Sequence, residues 1–126
     1  MTMVGLDVTH QALVTGAHAD ELRLAGRIGG VVAELLDFYG VFHRDVYGFD
    51  GSPVHDAVAV AHVIDPTLMT TRPANVAVET RSDYCDGRTV VDLRGVTGRE
   101  SNADVGVDVE AERFLELLVS RIASLP

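Results

Sequence analysis

Residues 54–64, Val54-His55-Asp56-Ala57-Val58-Ala59-Val60-Ala61-His62-Val63-Ile64, constrain the fold more than any other stretch of this sequence. Wound as a helix they are apolar on nearly every side, and such a helix is kept from water only inside a larger body. Its ends are marked. Ser52-Pro53 is a start signal, with Ser52 as N-cap and Pro53 at the first helical position. Asp65-Pro66 stops it. Gly48-Phe49-Asp50-Gly51, just before, reads as a turn. Whatever else the chain forms has to pack around this helix.

The flanking segments supply the candidates. Residues 2–8 open as a short buried strand that ends at Thr9-His10-Gln11. Residues 19–25 carry Asp20 and Glu21 in front and Leu22 and Ala25 spaced by three, which fits a short helix. Gly26, Gly29 and Gly30 are expected to interrupt it, since each glycine weakens a helix interior by up to about 1 kcal/mol against alanine. A stronger helix is expected over residues 31–47, where Val32, Leu35, Leu36, Tyr39 and Phe42 recur at three and four. Beyond Pro66 the period changes to two. Residues 75–81 and 88–93 read as strands joined by a hairpin turn at Asp86-Gly87. Residues 103–109 form a third strand, with Val105, Val107 and Val109 in phase. Asp108 or Val109 then leads into a last helix whose stripe is Ala111, Phe114, Leu115, Leu118 and Ile122. Mixed helices and strands give an α/β class.

At 126 residues the chain is one domain or less. Its ten basic residues, all arginine and scattered, face nineteen acidic ones for a net charge of −9. No nucleic-acid partner is therefore expected, because that binding draws on clustered basic side chains. Cys85 is the single cysteine, so neither an internal disulfide nor a thiolate zinc site can form, and a reducing cytoplasm is expected. No membrane partner is expected either. No stretch suits a bilayer span, and residues 1–7 lack the basic and apolar regions of a signal peptide.

His55-Asp56 is the pair that residue chemistry singles out. With Ser52 as N-cap they take the third and fourth helical positions, at the positive end of the helix dipole. A carboxylate there is favoured and free to face a cation or a ligand. A histidine there is a natural general acid or base near neutral pH. The same two residues also suit a helix cap and a satisfied core histidine, and the dipeptide alone does not separate these. The dipole lowers the proton affinity of His55 while Asp56 raises it, a balance left open by sequence. His62 follows His55 by seven, which is not the four-residue spacing of a helical metal pair. Tyr39, His43 and Tyr47 fall at i, i+4 and i+8, a stripe suited to stacking on a flat ring or to half-buried packing. Asp7, His10 and His18 read as strand-end and loop polars. No G-x-S-x-G elbow is present, so a Ser–His–Asp hydrolase is set aside.

Four segments in order resemble the inosine–uridine preferring nucleoside hydrolase family along nearly the whole chain. They are Val4-Gly5-Leu6-Asp7-Val8-Thr9-His10-Gln11; residues 48–60 with the following Ile64-Asp65-Pro66; Asp86-Gly87-Arg88-Thr89-Val90-Val91-Asp92; and residues 107–114. The resemblance implies an α/β fold over residues 1–126: the C-terminal portion of the nucleoside hydrolase fold, a Rossmann-like mixed sheet flanked by helices, with a closing β-hairpin. It implies cleavage of a ribonucleoside to free base and ribose, within nucleoside catabolism and purine salvage. In the family a calcium ion holds the attacking water and the ribose 2′ and 3′ hydroxyls. Asp56 takes the place of a calcium-ligating aspartate and His55 that of the acid protonating the leaving base. Tyr39, His43 and Tyr47 correspond to a mobile wall near the base. The family often has another tyrosine near His43, so base preference stays open here, and Ala57 stands where proline is common. A homo-oligomer, dimer or tetramer, is implied for the complete enzyme.

The family's Asp-rich run, D-x-D-x-G-x-D-D, supplies most of its calcium ligands and does not occur in this sequence. The expectation is thus a C-terminal part lacking the Asp-rich half, inactive alone. Two other readings stand beside it: a non-catalytic remnant acting as a binding or assembly module, and an unrelated small α/β enzyme using His55 as a base.

Overall fold

A computed structural model describes all 126 residues. The chain starts with a short strand β1 (Thr2–Met3) and turns directly into a one-turn helix α1 (Leu6–Thr9), where the sequence reading expected strand through Val8. Val8 and Thr9 are buried on that helix, so burial there is achieved by a helical turn. Strand β2 (Leu13–Val14) leads to α2 (Gly16–Leu24) and then to the long helix α3 (Arg27–Tyr47). Thr15 starts α2 in a capping box with His18, whose Nδ1 accepts the Thr15 N–H at 3.1 Å.

Only one of the three expected glycine breaks occurs. Gly26 separates the two helices with φ 115°, a conformation that favours glycine. Gly29 and Gly30 lie inside α3. Gly29 is there because α2 presses on it: a Cβ would stand 2.2 Å from the Leu22 carbonyl oxygen. Helix α3 ends at Gly48, φ 69°, whose N–H reaches the Arg44 carbonyl.

Ser52 does not cap the next helix. Strand β3 (Ser52–Pro53) pairs antiparallel with β2, and Ser52 Oγ donates to the Leu36 carbonyl at 3.1 Å. Helix α4 (His55–Ile64) begins two residues later, with Val54 at its N-cap. His55 and Asp56 are therefore its first and second residues instead of its third and fourth, still in the first turn. Helix α4 buries Val58 and Ala61 but leaves Val60, Val63 and Ile64 59%, 80% and 60% exposed. The all-round burial expected of this helix is met on one side only.

A 3₁₀ turn (Pro66–Leu68) opens the sheet region. Strand β4 (Met69–Val78) starts well before the expected residue 75; β5 (Thr89–Asp92) and β6 (Ala103–Val109) follow, and α5 (Ala111–Ala123) closes the chain. The sheet order is β1-β6-β4-β5, mixed, with β1 parallel to β6 and the other pairs antiparallel. Strand β4 changes partner midway, pairing with β6 over Met69–Ala74 and with β5 over Asn75–Val78. Pro73 falls before the second pairing begins, which is how a proline is tolerated in this strand. The Asn102 side chain continues the first pairing, accepting the Val76 N–H at 2.8 Å and donating to the Val76 carbonyl at 2.9 Å.

The β4–β5 connection is longer than a two-residue turn. Glu79 N donates to the Arg88 carbonyl and Gly87 N to the Glu79 carbonyl, closing a loop between them in which Gly87 takes φ 80°. The main core joins Ala12, Val14, Val58, Ala61, Leu68, Phe114 and Leu115 between the α4 and α5 faces and the β2 segment. Ala19, Leu22, Ala33 and Val119 form a second cluster, and Ala74, Ala103 and Val105 a third.

Candidate active site

The N-terminus of α4 is where three other segments converge. The end of α1 brings Thr9, which is 2% exposed and places Oγ1 2.7 Å from His55 Nδ1. His10 follows, its ring centroid 5.5 Å from that of His55. The last turns of α3 bring Tyr39, His43 and Tyr47 to the same place. His43 is 5% exposed, with its ring 6.5 Å from His55, 4.3 Å from Tyr39 and 5.9 Å from Tyr47. Phe49, in the turn after α3, stacks on His43 at 11° and meets His10 nearly edge-on at 70°. The stripe read from sequence thus lies against the pair read from sequence.

Three members of this cluster were not singled out by the sequence reading. His10 was placed among the loop polars, yet its ring packs against His55. Thr9 and Phe49 read from sequence only as part of a strand exit and of a turn. Their role depends on α1 folding back onto α4, across 46 residues for Thr9 and His55, and no local pattern reports that.

The electrostatics follow from the packing. Burial lowers the pKa of His55 most, the neighbouring His10 and His43 lower it further, and Asp56 pulls it up. The net direction is down, through burial and the two neighbouring histidines. His43 Nδ1 lies 3.1 Å from the Tyr39 carbonyl; a carbonyl only accepts, so Nδ1 carries the hydrogen. Beside the cluster runs an open groove of about 340 Å³ lined by Tyr39, Pro53, Val54, His55, Asp56 and Ala57.

Asp56 is the one carboxylate on that groove. Nowhere do three or more His, Cys, Asp or Glu side chains converge in a way that suits a metal ion. Calcium takes six to eight oxygens, so these residues offer it one ligand and do not compose a calcium site themselves.

The mixed α/β sheet thus carries a histidine and a carboxylate at a helix start, beside an aromatic wall. The profile of the inosine-uridine preferring nucleoside hydrolase family matches residues 1–116, and the chain belongs to that family. The pyrimidine-specific ribonucleoside hydrolase RihA of Klebsiella pneumoniae is 42% identical over 125 residues, 98% of this chain and 40% of that protein. The purine-preferring ribonucleoside hydrolase from Gardnerella vaginalis superposes with a TM-score of 0.82 at 34% identity, over 97% of this chain and 39% of its own. A plant nucleoside hydrolase, the PpNRh1 enzyme, superposes with a TM-score of 0.86 at 26% identity, over 98% and 41%. The chain therefore spans about 40% of the length of these relatives. The reading as an unrelated α/β enzyme is overturned by this membership.

Proposed function

We propose that this chain forms the part of a ribonucleoside hydrolase that faces the leaving base. The observation that carries the reading is His55, held by Thr9 and adjoining Asp56, at the mouth of a groove backed by Tyr39, His43 and Tyr47. Departure of a base from ribose builds an oxocarbenium-like sugar, and a hydrogen donated to the base lowers that barrier. His55 is the proposed donor, and the aromatic stripe the surface on which the base stacks. Asp56 would contribute one ligand to a calcium ion whose other ligands come from outside these 126 residues.

The surface supports a role within a larger body. The chain exposes 8432 Å², whereas a compact monomer of 13.5 kDa exposes roughly 6,500 Å². The apolar residues left open on α3 and α4, among them Phe38 at 82% and Val63 at 80% exposure, account for part of the excess. The same openness favours a second reading, a non-catalytic assembly module, which requires a stable fold and a defined oligomer. Size-exclusion chromatography of the purified chain separates the two: a defined oligomer favours the module, and its absence the hydrolase part. Oligomerisation of the complete enzyme and a cytoplasmic setting belong to the proposal as well; the structure itself has no helix long and apolar enough to cross a membrane.

The purified 126-residue chain is expected to release no base from uridine, cytidine or inosine, with or without calcium, because Asp56 alone cannot hold the ion. Uridine and cytidine come first, since the RihA relatives carry the higher identity. Calcium-dependent release of any base would overturn the predicted inactivity.

A further inference from the structure

We propose that Thr9 is a positioning residue that fixes the neutral tautomer of His55, with its hydrogen on Nε2. This rests on the reading of His55 as the residue facing the leaving base. The geometry is simple. Thr9 is 2% exposed, and its hydroxyl has one hydrogen-bonding partner, His55 Nδ1 at 2.7 Å. A buried hydroxyl hydrogen requires an acceptor. The usual alternative for a threonine on a helix is a backbone carbonyl one turn back, but Gly5 O is taken by the N–H groups of Val8 and Thr9. The hydroxyl therefore donates to Nδ1, and the neutral ring must keep its hydrogen on Nε2.

Nε2 has no protein partner, and the ring lines the groove with Asp56. A carbonyl in place of the hydroxyl would force the opposite neutral tautomer and present a lone pair to the base. A valine would leave the choice open. Threonine is the side chain that keeps the neutral His55 ring a donor at Nε2.

The test is nitrogen-15 NMR of the imidazole groups in the full 126-residue chain, at a pH where His55 is neutral and without substrate. His55 is assigned by its loss in His55→Gln. The expected spectrum shows the Nε2–H form exceeding the Nδ1–H form by about tenfold, the ratio one neutral hydrogen bond supports. Thr9→Val should lower that ratio toward the one a free neutral histidine side chain shows, and Thr9→Ser should restore the wild-type ratio. An even mixture or a majority of Nδ1–H in the wild type overturns the proposal. So does a folded Thr9→Val protein whose ratio is unchanged from the wild type. Should Thr9→Val not fold, the wild-type ratio decides, with Thr9→Ala as the second probe of the hydroxyl. Because no turnover is measured, failure of the hydrolase reading and failure of this one are told apart.

Discussion

Two carboxylates show how differently a single residue can be used in this chain. Asp56 is exposed at the groove with no side-chain partner beyond the field of His55. Asp92 is spent on structure: it accepts from Val96 N at 2.9 Å, Thr97 N at 2.7 Å and Thr97 Oγ1 at 2.7 Å, folding the loop after β5. The Thr97 hydroxyl and backbone bonds hold its pKa at about 2. A carboxyl depressed in the folded state adds stability that is fully present above its unfolded pKa. That stability is lost as the pH falls through the folded value. Asp92→Asn should therefore lower the urea midpoint at pH 7, and its deficit against wild type should shrink as the pH falls from about 4 toward 2. A deficit that stays constant across that range would contradict the assignment. His55 acts in the same sense at higher pH: its lowered pKa means the unfolded chain binds the proton first. Stability therefore declines as the pH falls below the usual histidine range.

Among the elements, α3 gives the sharpest contrast between local and tertiary causes. Gly29 and Gly30 are adjacent in one helix, yet a Cβ at Gly29 meets the Leu22 carbonyl at 2.2 Å while one at Gly30 meets nothing within 4 Å. Gly29→Ala should push α2 from α3 and cost roughly 1–3 kcal/mol. Gly30→Ala should stabilise by roughly 0.5–1 kcal/mol. Thermal melts of the two variants moving in opposite directions are the expected result; a shared direction would refute the packing argument. The same contrast explains what the sequence made legible. Helix α3, helix α5 and strand β6 could be read because their periodic patterns are local. Ser52-Pro53 looked like a helix start because the signal is local too, but Ser52 is drawn into a strand by Leu13–Val14 and by the Leu36 carbonyl, contacts set by distant residues. The Tyr39, His43 and Tyr47 stripe and the His55-Asp56 pair were legible; that Thr9 and His10 join them was not, since α1 reads as strand until α4 is in place.

For the whole molecule, the decisive quantity is how little is buried for how much is exposed. The cores are small and separate, of seven, four and three buried residues. Phe114, 1% exposed, is the largest side chain in the first. Phe114→Ala should cost about 3–5 kcal/mol, against a total stability for small domains of roughly 5–15 kcal/mol. The variant is therefore expected to melt well below the wild type. A Tm unchanged by this substitution would mean that the α4–α5 core does not form as described. The four family segments were recognisable in sequence because each is a contiguous run, whereas the openness of α3 and α4 appears only once the fold shows which apolar residues have neighbours.

The central claim, that His55 serves the leaving base of a ribonucleoside hydrolase, is tested most directly in a chimera. The segment of the Klebsiella pneumoniae RihA that aligns with this chain over 125 residues would be replaced by it. Uridine hydrolysis would then be measured with and without His55→Ala. Turnover by the chimera is expected to depend on calcium, and kcat to fall about 10²–10⁴-fold on His55→Ala, the range for loss of a general acid. A folded chimera that hydrolyses uridine equally well with His55→Ala would contradict it.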